Sequence, residues 1–376
     1  MSAAHRRRPS TYPIPDSSLE RVVDLTGFRE LHYQKMGRDR RFFDVVSIKG
    51  TFDLVEGRLV RAEEQAPVRL ADEWRDPTAP ARSDLAAAGD VLLYKPRTDV
   101  ILSGHAHAPN GDMARSWYAT VVVRSGGEDV VTASFTVTGP RWLRHAALRG
   151  WGVSDPEPTL RVPIEYRLAF GGGYPVLDAS SPGGARWEWY RANPSGVGFY
   201  DYARLDRHSQ HPAPQWYPLL EETSRPLEPT QLAGLGPVSR TWASRMRWAG
   251  TYDGEWRSAA RADAAAGRPL DYPADFDVRF FNAANERLTA PRFLRGDESI
   301  ALAGLDPSGA PLGFDLPGLV VSARVETREG MTWTELDLDT VEIDVDRRRV
   351  MLGWRLTLDG TLGAQNVVVS SRARSA

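Results

Sequence analysis

Asp275 and Asp277 stand two apart in the run YPADFDVRFFNAA, residues 272–284. In an extended chain both carboxylates face the same side, about 7 Å apart. That separation permits acid/base chemistry or a carboxylate pair flanking a glycosidic bond. The same residues can equally fix the path of the chain, because a carboxylate at a strand entry accepts backbone N–H groups or pairs with arginine. Arg279 and Arg245 are available for this. The expectation is therefore that Asp275 lies near backbone amides or Arg245, and that Asp277 pairs with an arginine.

Other candidate chemistry is thinner. His105 and His107 in GHAHAP share one face of an extended segment. Two imidazoles can begin a zinc or copper site, but no third ligand is visible nearby, so ordinary hydrogen bonding is the simpler expectation. Glu335, Asp337, Asp339, Glu342, Asp344 and Asp346 form an acidic set without the loop glycine and spacing of a calcium site. Their alternation with apolar residues predicts a solvated strand face. The glycines of AFGGGYP, Gly171 to Gly173, lack a phosphate-loop string and read as a backbone bend. No Gly-x-Ser-x-Gly elbow and no His-Glu-x-x-His helix is present. The absence of cysteine excludes disulfides, thiolate zinc sites and cysteine nucleophiles. No cofactor or metal is implied.

The elements that must carry these residues are mostly strands. In RFFDVVSIKGTFDLVEGRLV, Lys49-Gly50 and Glu56-Gly57 read as tight turns between short strands. TDVILSGHAHAP and SWYATVVVRSGGEDVVTASFTVTG continue a meander, with Ser125-Gly126-Gly127 as a hairpin turn. From about residue 156 to 273, proline, glycine and tryptophan are scattered without period, as in ordered loops with aromatic anchors. WRSAARADAAAGRP reads as a short helix ending near Gly267. In the C-terminal third, Leu336 and Leu338 share one phase, which shifts near Thr340. Val341, Ile343 and Val345 then precede a turn at 346–349 and a return strand through Val350, Leu352, Trp354, Leu356 and Leu358. The predicted fold is mainly β: antiparallel, sandwich-like meanders with a long loop-rich middle and few short helices. The division expected is a disordered start (1–20), an N-terminal β domain (21–160) and a loop-rich and C-terminal β domain (161–376), the last two able to form one continuous unit.

Composition sets the outer bounds. A chain of 376 residues with 41% hydrophobic residues, 10% aromatics and 12 tryptophans is globular and large enough for two cores. A formal net charge of -2 gives no reason to expect nucleic acid as a partner. Lysine occurs only at Lys35, Lys49 and Lys95 among 47 basic residues, so arginine abundance reads as compositional bias. The basic start is followed by no apolar h-region, and no stretch approaches the roughly 18 apolar residues of a membrane span. The expectation is a soluble cytoplasmic protein without membrane insertion.

Several segments occur in an order that resembles the bacterial family named domain of unknown function 2169. LLYKPRTDVILSGHAHAP carries Lys95, Pro96, Thr98, Asp99, Gly104 and Pro109. VTGPRWL carries Arg141 and Trp142, with Pro140 where the family usually has aspartate. VPIEYRLAFGGG matches through Pro163, Glu165, Tyr166, Arg167, Ala169, Phe170, Gly171 and Gly172, and NPSGVGF follows. LAGLGPVSRTWASRMRWAGTYDGEW supplies Trp242, Arg245, Gly250, Thr251, Tyr252, Asp253 and Trp256. The run at Pro273, Asp275, Phe276, Asp277, Arg279, Phe280, Asn282 and Ala283 completes the series. The resemblance covers about Asp90 to Pro317. It departs at Leu219, in an asparagine position, and at Asn285, where NAANERL replaces a proline-containing continuation; these are places where this member can fit a different partner.

The resemblance implies an adaptor or chaperone in type VI secretion. Such a protein binds an effector, the spike or the spike-tip protein in the bacterial cytoplasm and helps load the effector before firing. It implies no catalytic residues, and the motif positions are structural or partner-binding. The competing readings are a hydrolase using Asp275 and Asp277, a carbohydrate-binding protein using exposed tryptophans, and a structural subunit that travels with the spike.

Overall fold

The structure, a computed structural model, describes residues 19–181, 184–218 and 231–374. Residues 1–18 of the expected disordered start and the departure at Leu219 lie outside the described residues. Leu19 and Glu20 do not belong to a loose tail: Leu19 is buried in the core, and the Glu20 N–H donates to the Gln365 carbonyl at 2.8 Å.

Strands dominate, as the alternation requires, and they gather into three larger sheets. The largest runs in the order Arg29–Met36, Phe42–Val55, Arg349–Asp359, Asp337–Asp344, Asp99–Ser103, with Arg58–Arg61 pairing off Phe42–Val55. The second runs Trp216–Pro218, Glu128–Thr138, Ser116–Ser125, Ser299–Ala303, Leu312–Asp315. The third runs Arg21–Asp24, Ala364–Ala373, Leu319–Thr327, Gly330–Glu335. Each of these sheets takes strands from both sides of residue 160. One hydrophobic cluster draws Ile48, Phe52 and Trp354 from the first, Val121 and Phe135 from the second, and Val321 and Val367 from the third.

Pairing is mostly antiparallel. Parallel pairs join Arg21–Asp24 to Ala364–Ala373, Asp337–Asp344 to Asp99–Ser103, and Phe170–Gly171 to Val197–Gly198. The segment read as a continuing meander at Asp99 thus enters the sheet beside a strand more than 200 residues later. The hairpin turn at Gly126-Gly127 forms with both glycines at positive φ, and Glu56-Gly57 turns likewise. The 337–359 hairpin forms with a bulge between Leu338 and Thr340, which is the phase shift visible in the sequence. The helix Gly254–Ala265 is capped by Asp253, whose carboxylate accepts from the Trp256 N–H at 2.9 Å, and Gly267 follows it at φ +66.

Two expectations need correction. Lys49-Gly50 is no turn; the strand Phe42–Val55 runs straight through it. Glycine suits the position because a Cβ would sit 3.1 Å from the Phe28 ring, tighter than ordinary contact, and that ring stacks on Trp354. The acidic set is not a uniformly solvated face either. Asp339 and Glu342 are buried. The bulge places Asp339 beside Arg355 at 2.6 Å, and Glu342 meets Arg69 at 2.7 Å and Lys49 at 3.7 Å. A buried carboxylate survives only with such partners.

Candidate functional site

The opening aspartates are not on a strand. Asp275 lies in a turn and Asp277 caps the short 3-10 helix Val278–Phe281. Pro273, the Asp275 bonds to Thr251 and the Asp277 cap hold the segment in a turn rather than a strand. Asp275 accepts from the Thr251 N–H at 2.8 Å and from the Thr251 hydroxyl at 2.7 Å. These bonds hold its carboxyl below the usual range. Gly250 permits the approach: it sits at φ +82, where a Cβ would lie 2.9 Å from Asp275 Oδ1. Asp277 accepts from Arg279 at the backbone N–H (2.8 Å), Nε (3.0 Å) and Nη2 (2.6 Å), and the Arg279 bonds depress its carboxyl as well. Arg245 serves other acceptors: Nε and Nη2 donate to the Phe280 carbonyl at 3.1 and 2.8 Å, and Nη1 to Val238 at 2.8 Å.

The motif segments meet around a third carboxylate, Asp99, which is fully buried. It receives Lys95 Nζ at 2.9 Å, the Asn282 side-chain amide at 2.9 Å and the Ala283 N–H at 2.7 Å. Lys95 also donates to the Thr340 hydroxyl at 2.7 Å, and the Thr98 hydroxyl accepts from the Leu294 N–H at 2.8 Å. Residues 95–99 and 282–283 are thus one polar node assembled from two distant blocks, and Pro96 lies half-buried beside it. Asn285 is buried nearby and donates to the Leu232 carbonyl at 2.8 Å, so this departure from the family pattern braces the chain itself.

A third group of motif residues braces the loops. Tyr166 is buried, donates to the Gly236 carbonyl at 3.1 Å and meets Trp242 edge to face at 5.2 Å. Burial pushes its phenol well above the usual range. The side-chain amide of Asn193 donates to the Tyr166 carbonyl at 2.7 Å and to Phe170 at 3.1 Å, while Gly172 at φ +96 passes where a Cβ would meet the Gly196 carbonyl. The glycine run is therefore a bend. Phe170 packs on Tyr190, Glu165 pairs with Arg75 and Arg167, and Arg141 lies 4.2 Å from the Tyr217 ring centroid. Trp142 begins a strand paired with Pro212, and Pro109 opens an exposed 3-10 turn. Tyr252, Trp256, Phe276 and Phe280 form edge contacts around Gly254–Ala265 and Val278–Phe281.

His105 and His107 gain a partner the sequence did not reveal. Asp346 takes His105 Nδ1 at 2.7 Å and His107 Nε2 at 2.9 Å, with Gly104 at φ +104 leaving room for its carboxylate. Burial raises the Asp346 carboxyl, and the two histidine hydrogen bonds outweigh it to hold the group below its usual value.

Beside the Asp99 node and along the Arg245 side chain opens a groove of about 690 Å³. Leu232, Val238, Ala243 and Ala284 give it apolar walls, and Arg97, Arg247, Arg279, Arg287 and Trp248 line it with charge and ring. Arg279 stands 3.5 Å and Arg247 4.8 Å from the Trp248 ring centroid. Arg247 pairs with Glu286, and Arg279 with Asp277. The Ser244 hydroxyl is buried at this wall without a hydrogen-bond partner. Burial pushes Arg245 down to about 10. Of the groove residues, Arg245, Arg279 and Asn282 were legible as motif positions; Arg97, Ser244, Arg247 and Trp248 were not singled out, although the RMRW run at 245–248 signals an arginine and aromatic cluster.

Fold and site together define a mainly β protein whose motif residues build a hydrogen-bonded frame and in part line an arginine- and tryptophan-bearing groove. A family model described as an uncharacterized protein conserved in bacteria, domain of unknown function 2169, matches residues 39–355, and the chain belongs to that family. No curated protein and no solved structure matches the chain. No helix among the described residues is long and apolar enough to cross a membrane.

Proposed function

We propose that the protein is an adaptor that binds a type VI secretion effector in the bacterial cytoplasm and helps load it onto the spike or its tip protein. The observation that carries the docking part of this reading is the groove at Arg97, Arg279 and Trp248, because arginine and tryptophan are the residues that anchor protein interfaces. The partner class rests on the motif resemblance. Geometry at the aspartates favours docking over the hydrolase reading: both Asp275 oxygens are engaged by Thr251, and Asp277 is engaged by Arg279. In this mechanism the groove holds a partner segment and shields it until the assembled spike competes it away.

The test is affinity capture from the native bacterium with the tagged full chain, its Arg97→Glu variant and an unrelated tagged control, with bound chains identified by mass spectrometry. Enrichment of a toxin-like or spike protein by the wild-type chain, reduced several-fold by Arg97→Glu, supports the reading. Equal capture by all three baits sinks it. Secretion-dependent appearance of the chain in culture medium without lysis would instead favour a subunit fired with the spike.

A further inference from the structure

Among the described residues, the groove lines up more arginine than carboxylate within ion-pair distance. Arg247 is matched by Glu286 and Arg279 by Asp277. Arg97 is exposed and, among the described residues, has no carboxylate within ion-pair distance, although its charge acts on Asp277, which is itself paired with Arg279. Arg245 is buried in the groove lining, and its three hydrogen bonds all go to backbone carbonyls. A guanidinium has five N–H donors, so two on Arg245 remain for another acceptor. The Trp248 ring, apolar side chains and the unpartnered Ser244 hydroxyl line the same groove.

We propose that the groove binds an acidic linear peptide segment of the partner, with a carboxylate at Arg97 and an adjacent apolar side chain against Trp248. This inference rests on the adaptor reading and names the chemistry of its partner. Arginine forks match carboxylates with two parallel bonds. A peptide supplies both the anion and the apolar side chain that walls of this composition need. A nucleic acid fits less well, since the whole chain carries a formal net charge of -2 and its field does not attract a polyanion. A basic segment would meet uncompensated arginine and be repelled.

The experiment measures fluorescence anisotropy on the full chain with three labelled dodecapeptides of equal length: one alternating Glu/Asp with Leu/Trp, its Gln/Asn isostere, and its Lys/Arg counterpart. A labelled single-stranded oligonucleotide is run beside them. The acidic peptide is expected to bind about tenfold or more tighter than the isostere, the worth of one charge-assisted contact. Its affinity is expected to fall with added salt and by about tenfold in Arg97→Ala, whose exposed side chain can be removed without loss of fold. A remote control, Arg328→Ala, should bind as wild type.

Equal binding of the acidic peptide and its isostere overturns the acidic chemistry. If that shared binding is abolished by the groove-filling Ser244→Trp, with an unchanged melting curve, the docking groove itself survives. Preference for the oligonucleotide or the basic peptide overturns the proposal and points to another partner class. No binding of any probe up to about 1 mM overturns it as well. The adaptor reading then stands or falls on the capture experiment alone.

Discussion

At the scale of single residues, three aspartates show how one side-chain type serves different ends. Asp277 is half-exposed and tied to Arg279, and its carboxyl is depressed in the folded state. A depressed carboxyl stabilises the fold above its unfolded value near 4 and loses that contribution as pH falls through the folded value. Asp277→Asn should therefore cost no more than about 1 kcal/mol at pH 7, given solvent screening, and the difference from wild type should close below about pH 4. Urea unfolding at pH 7 and pH 3 measures both. Asp99 is the opposite case: fully buried and joined to Lys95, Asn282 and Ala283, it leaves an uncompensated ammonium when removed. Asp99→Ala should cost about 3–5 kcal/mol, read as a lower urea midpoint. Sequence spacing showed that Asp275 and Asp277 were worth attention, and residue chemistry suggested amide and arginine partners. It did not show that the segment is a turn, because Pro273, the Asp275 bonds to Thr251 and the Asp277 cap outweigh a short alternating pattern. Asp346 was hidden for another reason: it lies 239 residues from His107 in sequence, and only the strand pairing brings them together.

At the scale of elements, bends and bulges do the positioning. Gly172 has a positive φ and no room for a Cβ, whereas Gly126 has a positive φ with open space around it. Gly172→Ala should lower stability by at least about 2 kcal/mol and Gly126→Ala by about 1 kcal/mol, a contrast that thermal melts will resolve. The Leu338–Thr340 bulge makes a similar test. Arg355→Met alone strands the buried Asp339 and should cost about 3–5 kcal/mol, while adding Asp339→Leu should recover most of that loss. The hairpins were legible because turn glycines and alternation agree at Gly126 and Glu56-Gly57. The phase shift at Thr340 was legible too, but its consequence was not, since a bulge alone does not say what waits on the other face. Lys49-Gly50 misled because glycine serves packing against Phe28 as readily as it serves a turn.

At the scale of the whole molecule, the groove draws on blocks far apart in the chain: Arg97, Ala192 and residues within 231–248 and 279–289. Local patterns revealed the mainly β class and the motif blocks. They did not reveal the groove, because surfaces assembled from loops leave no periodic trace. The interleaving of sheets also makes a prediction about division of the chain. A fragment of residues 21–160 keeps Phe42–Val55 but loses Arg349–Asp359, its eleven-residue partner. Expressed alone, it should show rapid hydrogen exchange in Phe42–Val55, while the full chain protects that strand. The same pairing governs events on the ribosome. Phe42–Val55, which buries Val45, Val46, Ile48 and Phe52 in the folded protein, emerges about 300 residues ahead of Arg349–Asp359, a wait of roughly 15–60 s at ordinary rates of synthesis. During that interval the nascent strand has no completed sheet to join, so vectorial synthesis leaves its edge open to the chaperones and to neighbouring chains on the polysome.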